Sequence, residues 1–442
     1  MRDGRRLFIA PRTRPVAPRR SAVVAVLDIG SSKVTCAIGK LKPMPTEPND
    51  ALGARSHAIE VIGLGMHRSQ GIKAGIVVDM DAAEQAIRMA VDAAERQAGV
   101  AVESVVLTVA CGRLGSEVFS ASVATSGEAV ADDDLTRVLA AGAAHSMRES
   151  RTVLHALPIG YAIDQARGIR DPRGMVGESL GVDMHAVSAE IAPVRNLILC
   201  VERCHLAVEG LVASSYAAGL SALVQDEMEL GAACIDIGGG TTSAAVFLEG
   251  RLVHVDAVAV GGNHITLDLA RGLSTRLSTA ERIKALHGNA LASEFDGHDT
   301  VSLTPGIEDE NEGGANISRD RMNRIVRARA EEILELMRDR LAASGFAGRA
   351  ARRIVLTGGG SQLTGFSELA RQVFGRQVRL GRPLGIGGLP EIAKGPAFAA
   401  VCGLLVYPQV VHLEHVDPAR VLGAQASGGY LARVGQWIKE SF

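Results

Sequence analysis

Apolar and polar residues alternate along most of the chain with two different periods. Short apolar runs typical of strands follow Ser21, in the segments AVVAVLDIG, KVTCAIGK and IEVIGLG. Residues 81–99 instead show the helical period, and 319–341 repeat it over a longer stretch. The apolar face of the first of these helices consists of Ala83, Ile87, Ala90, Val91 and Ala94. Because strands and helices alternate to about Tyr407, the sequence predicts an α/β fold.

The two ends of the chain depart from this alternation. Residues 1–20 hold seven arginines and three prolines with little apolar surface, which predicts a disordered arm. Residues 408–429 are predicted to be a flexible linker, and 430–442 an amphipathic helix. The apolar arc of that helix consists of Tyr430, Leu431, Val434, Trp437, Ile438 and Phe442.

The pattern alone leaves open whether this last helix packs on the body or lies on a membrane. A tryptophan at the edge of an apolar face, here Trp437, suits the headgroup region of a bilayer. A flexible linker of roughly 20 residues has a typical reach of about 25 Å, which favours the membrane hypothesis.

Composition narrows the function classes. The chain has 442 residues, which predicts two or more lobes. Its 47 Lys and Arg are balanced by 49 Asp and Glu, so no nucleic-acid partner is expected. No apolar stretch is long enough to span a bilayer, and the protein is expected to stay in the cytoplasm. The six cysteines form no CxxC pair, and Cys200 and Cys204 have no partners at zinc-like spacing.

An acidic–glycine turn occurs twice. The element LDIGSSKV recurs as IDIGGGTTSAAV at 235–246, and each copy places one aspartate, Asp28 or Asp236, at the end of an apolar strand. Glycines let backbone N–H groups approach a phosphate closely, and the following hydroxyls can donate to its oxygens. Two such turns facing each other would clamp a polyphosphate, with the aspartates holding a hydrated Mg²⁺. A third element, VLTGGGSQLTGF at 355–366, suits close approach of a base or ribose.

This ordered set resembles the actin-like superfamily of ATP-binding proteins. The resemblance implies a two-lobed fold with ATP and Mg²⁺ in the cleft, and helices at 214–223 and 395–407 that cross between the lobes. It also implies that Glu281 and Lys284 lie near the nucleoside. The predicted nucleotide-binding residues are Asp28, Gly30, Ser31, Ser32, Lys33, Asp236, Gly238, Gly239, Gly240, Thr241, Thr242, Gly262, Glu281, Lys284, Gly358, Gly359, Gly360 and Ser361.

Within that superfamily the chain resembles the FtsA family, through the segments at 155–175, 200–210, 261–270 and 382–390. The resemblance implies an FtsA-type inserted subdomain, 1C, in the two-lobed fold. The division it implies is an arm at 1–20, subdomain 1A at 21–109 and 185–224, 1C at 110–184, 2A at 225–261 and 349–407, 2B at 262–348, a linker at 408–429 and a membrane-targeting helix at 430–442.

The function implied is an ATP-dependent adaptor that tethers the FtsZ division ring to the inner face of the cell membrane at the septum. It would bind the C-terminal tail of FtsZ through subdomain 2B, self-associate into actin-like filaments and contact lipid through its last helix. The sequence names no base that would activate water, so no catalytic residue is assigned and ATP hydrolysis is expected to be slow at most. Two alternatives stay open: a PilM-like membrane-associated assembly ATPase, and a small-molecule kinase of the same fold.

Overall fold

The computed structural model describes residues 11, 13–17, 19–44, 55–110, 113–145, 150–291, 299–303, 316–346, 348 and 352–414. Its strands are β1 (Ala22–Ile29), β2 (Lys33–Pro43), β3 (His57–Arg68), β4 (Ile72–Lys73), β5 (Ile76–Val77), β6 (Ser104–Val109), β7 (Gly115–Ala124), β8 (Arg151–Ile163), β9 (Ala166–Ile169), β10 (Ser179–Glu190), β11 (Ala207–Ala213), β12 (Ala232–Ile237), β13 (Thr242–Leu248), β14 (Arg251–Val258), β15 (Thr300–Ser302), β16 (Asn316–Ser318), β17 (Arg353–Thr357), β18 (Gln377–Leu380) and β19 (Ile386–Gly387).

The helices of the same residues are α1 (Met80–Ala98), α2 (Asp132–His145), α3 (Ile191–Glu202), α4 (Ser214–Ala222), α5 (Gln225–Leu230), α6 (Gly262–Gly272), α7 (Leu277–His287), α8 (Arg319–Ala343), α9 (Phe366–Phe374) and α10 (Ala399–Val406). The two helices expected from the apolar period, α1 and α8, are confirmed to within two residues at each end. The predicted apolar face of α1 is buried, and Gly99 ends the helix in the left-handed conformation with φ 68°.

Two sheets repeat one strand order. The first runs β19-β3-β2-β1-β6-β11 and the second β14-β13-β12-β17-β18. In each, three consecutive strands pair antiparallel, and the first of them pairs parallel with a later strand. Asp28 of β1 lies opposite Thr35, and Asp236 of β12 lies opposite Ser243. The two aspartates therefore occupy equivalent positions, and the repeat seen in the sequence corresponds to a repeated sheet.

Two buried helices join the lobes built on these sheets. Helix α10 packs on β1, β2 and β6 of the first sheet, whereas α4 packs on β12 and β13 of the second. Every residue of α4 is buried, including three serines. The Ser214 Oγ lies 3.1 Å from Ser243 Oγ, and Ser221 Oγ donates to the Ala399 carbonyl at 2.7 Å. The helices approach closely because α10 has a glycine at their crossing: a Cβ built on Gly403 would overlap the carbonyl oxygen of Ala217. The positions 214–223 and 395–407 expected for crossing helices thus hold α4 and α10.

Residues Ser116–Ser188 form a compact unit of their own together with residues 412–414. Its sheet has the order β7-β10-β8-β9, and α2 packs through Val138 and Leu139 on a core that includes Leu180 and Met184. Within this unit the buried His155 Nδ1 lies 2.9 Å from Glu414 Oε1. The bounds of this unit, Ser116–Ser188, compare with the inserted subdomain 1C that the family resemblance placed at 110–184.

Both chain ends are ordered further than the sequence predicted. Thr13 is buried, and Val16 N–H donates to the Pro408 carbonyl at 3.2 Å. The prediction of disorder is therefore wrong for residues 13–17, because Thr13 packs against the side-chain-free surface of Gly210. The linker predicted from 408 is likewise wrong at its start, since Pro408 and Gln409 are buried in a 3-10 turn. Residues 1–10 and the helix predicted at 430–442 lie outside the described residues. In the part of the chain that the structure describes, no helix has the length and apolar character needed to cross a membrane.

Candidate nucleotide site

A cleft of about 490 Å³ lies between the two sheets, at the carboxyl ends of β1, β12 and β17. The predicted residues that line it are Asp28, Gly30, Ser31, Ser32, Lys33, Asp236, Gly238, Gly239, Thr241, Gly262, Glu281, Lys284, Gly358, Gly359 and Gly360. Segments that are more than 300 residues apart in the sequence therefore meet in one cavity.

The two acidic–glycine turns have the same backbone geometry and face each other. Gly30 N–H donates to the Lys33 carbonyl at 3.0 Å, and Gly238 N–H donates to the Thr241 carbonyl at 2.9 Å. A Cβ on Gly240 would lie 2.5 Å from Ser31 Oγ, so only glycine lets the turns approach this closely. Each sheet therefore delivers one glycine turn to opposite walls of the cleft.

The serine hydroxyls of the first turn bond to neighbours around the cleft. Ser32 Oγ donates to Asn263 Oδ1 at 3.2 Å, and Ser31 Oγ accepts from Gly75 N–H at 3.2 Å. Asn263 N–H in turn donates to the Gly239 carbonyl at 2.7 Å. Asn263, at the start of α6, therefore links the two turns.

Two carboxylates and one ammonium group form the floor of the cleft. Burial raises the pKa of Asp28, although Thr108 Oγ1 donates to its Oδ1 at 2.6 Å. Burial and then the charge of Asp28 raise the pKa of Asp236 to about 7. Burial lowers the pKa of Lys33, whose Nζ lies 3.4 Å from the ring centroid of Phe398. Because the pKa of Lys33 is lowered, its positive charge only partly balances the two aspartates. The site therefore favours binding of a further cation.

Helix α7 supplies a second polar group to the cleft. Lys284 Nζ donates to Glu281 Oε2 at 2.7 Å, to Thr266 Oγ1 at 2.8 Å and to the Gly262 carbonyl at 3.2 Å. Thr266 also donates to Glu281. Because the Lys284 side chain is only 14% exposed and donates to three groups, Lys284 is a fixed part of the wall, whereas the Glu281 side chain is 54% exposed.

Comparison with known proteins identifies the family. Residues 233–403 match the family model described as Cell division protein FtsA, and 112–188 match the SHS2 domain inserted in FTSA. The cell division protein FtsA of Agrobacterium fabrum is 52% identical over 437 residues, which cover 98% of both chains. The chain belongs to the FtsA family of cell division proteins. The Escherichia coli K12 member is 31% identical over 430 residues, covering 95% of this chain and 98% of that one.

The fold of this FtsA-family chain is actin-like. The solved PilM-PilN type IV pilus biogenesis complex superposes with a TM-score of 0.58 at 16% identity, covering 87% of this chain and 98% of that one. At this identity the likeness concerns the fold alone. The predictions of the family and of a two-lobed actin-like fold are both confirmed, and membership of this family supports a role in cell division.

Three predicted residues of this FtsA-family chain do not line the cleft. Thr242 is buried, and its hydroxyl donates to the Val260 carbonyl at 2.8 Å. Ser361 Oγ donates to the Gly358 carbonyl at 2.7 Å, and Gly240 packs against Ser31. The expectation that Thr242 donates directly to a phosphate is wrong in this structure, because that hydroxyl already supports the turn.

Sequence reasoning missed Thr108, Asn263 and Phe398, which hold Asp28, Ser32 and Lys33 respectively. For Thr108 a signal was present: VLT at 106–108 recurs as VLT at 355–357, directly before the three glycines. Both segments lie near the carboxyl end of a strand that pairs parallel with an aspartate-bearing strand. The contacts of Asn263 and Phe398 depend on folding of distant segments and left no comparable pattern.

Proposed function

We propose that this FtsA-family protein binds ATP with Mg²⁺ in the cleft and tethers the FtsZ division ring to the inner face of the cell membrane. The observation that carries the nucleotide part is the pair of glycine turns that face each other above Asp28 and Asp236. Glycine-rich backbone on both sides of the cleft lets a polyphosphate approach closely, and the cavity of about 490 Å³ is in the range of ligand pockets.

The carboxylates fit a hydrated Mg²⁺. Oxygen ligands are the ones that Mg²⁺ prefers, and it usually keeps several waters when it binds beside phosphates. Burial disfavours two ionised aspartates that share one floor, and a divalent cation would relieve that cost. When bound, Mg²⁺ would offset the phosphate charge. Asp28 and Asp236 would hold it, with Thr108 fixing the orientation of the Asp28 carboxylate.

Replacing Thr108 by valine should weaken Mg²⁺-ATP binding by about 10-fold or more, because a hydrogen bond to a charged group contributes about 1.5–3 kcal/mol. Thr108 acts through Asp28 and is therefore a positioning residue. Isothermal titration calorimetry with and without Mg²⁺ would measure the effect, which should appear with the metal and largely vanish without it.

Thr108→Ser is the matched control, since it keeps the hydroxyl and should bind within about 3-fold of the wild type. Equal Mg²⁺-ATP affinity of Thr108→Val and wild type would remove the positioning role. A wild-type chain that gives no heat with Mg²⁺-ATP would overturn the nucleotide proposal itself.

The membrane part of the proposal rests on residues 430–442. Six apolar side chains, each partly buried in lipid, contribute roughly 1 kcal/mol apiece. Ordering the helix at the surface offsets part of that gain, so one helix should bind reversibly. Several helices on one assembly would hold firmly, because linked binding events raise the effective concentration. Self-association into actin-like filaments would therefore strengthen membrane attachment.

Removing residues 430–442 should abolish co-sedimentation with anionic lipid vesicles. Trp437 is the only tryptophan in the chain, so its emission should shift to the blue when vesicles are added to the ATP-bound wild type. A labelled peptide of the FtsZ C-terminal tail should sediment with vesicles only when the full chain is present.

The control for this truncation is Trp437→Phe, which keeps the apolar face and should still sediment. Equal sedimentation of the full and truncated chains, with no change in Trp437 emission, would show that the helix packs on the body. Recruitment of the FtsZ peptide would test the tethering separately, through the residues at 262–348 that the family resemblance assigns to it.

A further inference from the structure

Three exposed arginines lie close together near the start of the chain, in residues 13–20, which we call the arginine segment. They are Arg14, Arg19 and Arg20, and within the part of the chain that the structure describes none of them forms an ion pair. Arg20 N–H donates to the Ala17 carbonyl at 3.0 Å, a turn that keeps the segment compact. The segment contains no acidic residue, so its positive charge is available to a ligand.

The arginine segment is fixed beside the point from which the chain continues to the proposed membrane helix. Val16 N–H donates to the Pro408 carbonyl at 3.2 Å. His57 makes a second link, because its Nε2 lies 3.0 Å from the Arg20 carbonyl oxygen and its N–H donates to Gln409 Oε1 at 3.0 Å. Since successive Cα atoms are about 3.8 Å apart, the backbone of the segment lies within roughly 15 Å of Pro408 and Gln409.

The two ends of the chain have complementary chemistry for a bilayer. Residues 1–20 hold seven arginines and a single acidic residue, Asp3. Residues 430–442 have an apolar arc but little net charge, because their two basic residues, Arg433 and Lys439, are accompanied by Glu440. A weak apolar anchor becomes a stable one when a polybasic segment adds a second contact with anionic lipid.

Both contacts can form at the same time. The linker before the membrane helix has a typical reach of about 25 Å, so a helix inserted in lipid keeps residues 408–409 close to the bilayer. The attraction of a basic side chain to an anionic surface extends over about 8 Å at physiological salt, which favours charges that are held at this point. Insertion of the helix therefore raises the effective concentration of the arginine segment at the lipid surface.

We propose that the arginine segment binds the headgroups of anionic lipids, as a second membrane contact beside the helix at 430–442. A guanidinium group suits this ligand because its fork of N–H donors matches the oxygens of a phosphate. The inference rests on the membrane attachment proposed above and adds a contact from the opposite end of the chain.

Replacing Arg14, Arg19 and Arg20 together by glutamine should raise the lipid concentration needed for half-maximal sedimentation by about 10-fold or more. The vesicles would contain phosphatidylglycerol at low salt, where one basic residue near the surface strengthens binding by up to about 5-fold. High salt should remove the difference between variant and wild type, because it screens the surface charge. On vesicles of phosphatidylcholine alone, which carry no net charge, the two chains should bind equally.

The matched control replaces three exposed arginines of the lobe built on the second sheet by glutamine, namely Arg271, Arg352 and Arg382. This variant loses the same charge and should bind phosphatidylglycerol vesicles within about 2-fold of the wild type. Thermal unfolding of both variants would confirm that they fold.

The emission of Trp437 separates the two membrane contacts. At saturating lipid the arginine variant should show the full blue shift of the wild type, because its terminal helix still inserts. Equal binding of this variant and the wild type to phosphatidylglycerol vesicles at low salt would overturn the arginine contact alone. An equal loss on phosphatidylcholine vesicles would overturn it too, since the contact requires surface charge. A wild-type chain that binds no vesicles would overturn the membrane attachment itself.

Discussion

Asp236→Asn is expected to weaken Mg²⁺-ATP binding by about 100-fold or more, while it stabilises the ligand-free protein at pH 8. In the proposed site Asp236 is one of two carboxylates that hold Mg²⁺, and loss of its charge would weaken that hold because a buried charge interaction contributes several kcal/mol. The opposite effect on stability follows from the same burial, which raises the pKa of Asp236 from 3.8 to about 7. Function and stability should therefore change in opposite directions.

The sign of the pH dependence follows from proton binding. Between about pH 4 and 7 the folded chain keeps a proton on Asp236 that the unfolded chain has lost. The free energy of unfolding therefore decreases as pH rises through this window, and the contribution is lost above the folded pKa of about 7. Asparagine removes this dependence, so the variant should exceed the wild type by about 1–4 kcal/mol at pH 8 and match it near pH 4.

Thermal unfolding between pH 5 and 8, with calorimetric titration of Mg²⁺-ATP, would measure both effects. In the wild type the Mg²⁺-ATP affinity should rise with pH, since the metal must replace a proton on Asp236. Asp256→Asn is the control, because this half-buried aspartate lies on β14 beside Arg340 and outside the cleft. Mg²⁺-ATP binding by Asp236→Asn at wild-type strength would show that this carboxylate does not hold the metal.

Most residues that line the cleft could be predicted from the sequence, because each of the lining motifs is a short continuous segment. Each acidic–glycine turn is a continuous motif, and a strand that ends in aspartate and glycine carries its own signal. The sequence also predicted that the two acidic–glycine turns face each other. The two sheets share one strand order, so each turn lies at the same position in its sheet. What the sequence did not supply was the set of supporting contacts. Thr108 reaches Asp28 across 80 positions, and Ser32 reaches Asn263 across 231.

The errors at the chain ends have a common physical cause. Residues 13–17 and 408–409 have a composition typical of flexible segments, but they bond to each other through Val16 and Pro408. Composition indicates only whether an isolated segment is flexible. Thr13 is ordered because it packs in the space that Gly210 leaves by having no side chain. Thr242 was misjudged for a similar reason. A hydroxyl in a glycine turn suits a phosphate, but its direction depends on the Val260 carbonyl beside it.

Gly403→Ala is expected to destabilise the protein by about 3 kcal/mol or more, because added volume in a packed core costs about 1–3 kcal/mol or more where the backbone must move. The new Cβ would overlap the Ala217 carbonyl oxygen and lie 3.0 Å from the Ala217 Cα. Rotation of a side chain cannot relieve an overlap with backbone, so α4 and α10 must separate. That movement would disturb the edge-to-face contact of Tyr216 with Tyr407, whose ring centroids lie 6.2 Å apart.

The same substitution should weaken nucleotide binding, because α10 begins at the cleft. Ala400 of this helix lines the cavity, and the preceding Ala397 lies beside the glycines of the third motif. Circular dichroism melting and Mg²⁺-ATP titration would measure the two effects. The control is Gly160→Ala, where a Cβ meets no atom within 4 Å. A melting temperature of Gly403→Ala within about 1 °C of wild type would mean that the helices can separate freely. Loss of nucleotide affinity together with stability would instead show that the α4–α10 crossing sets the spacing of the two glycine turns.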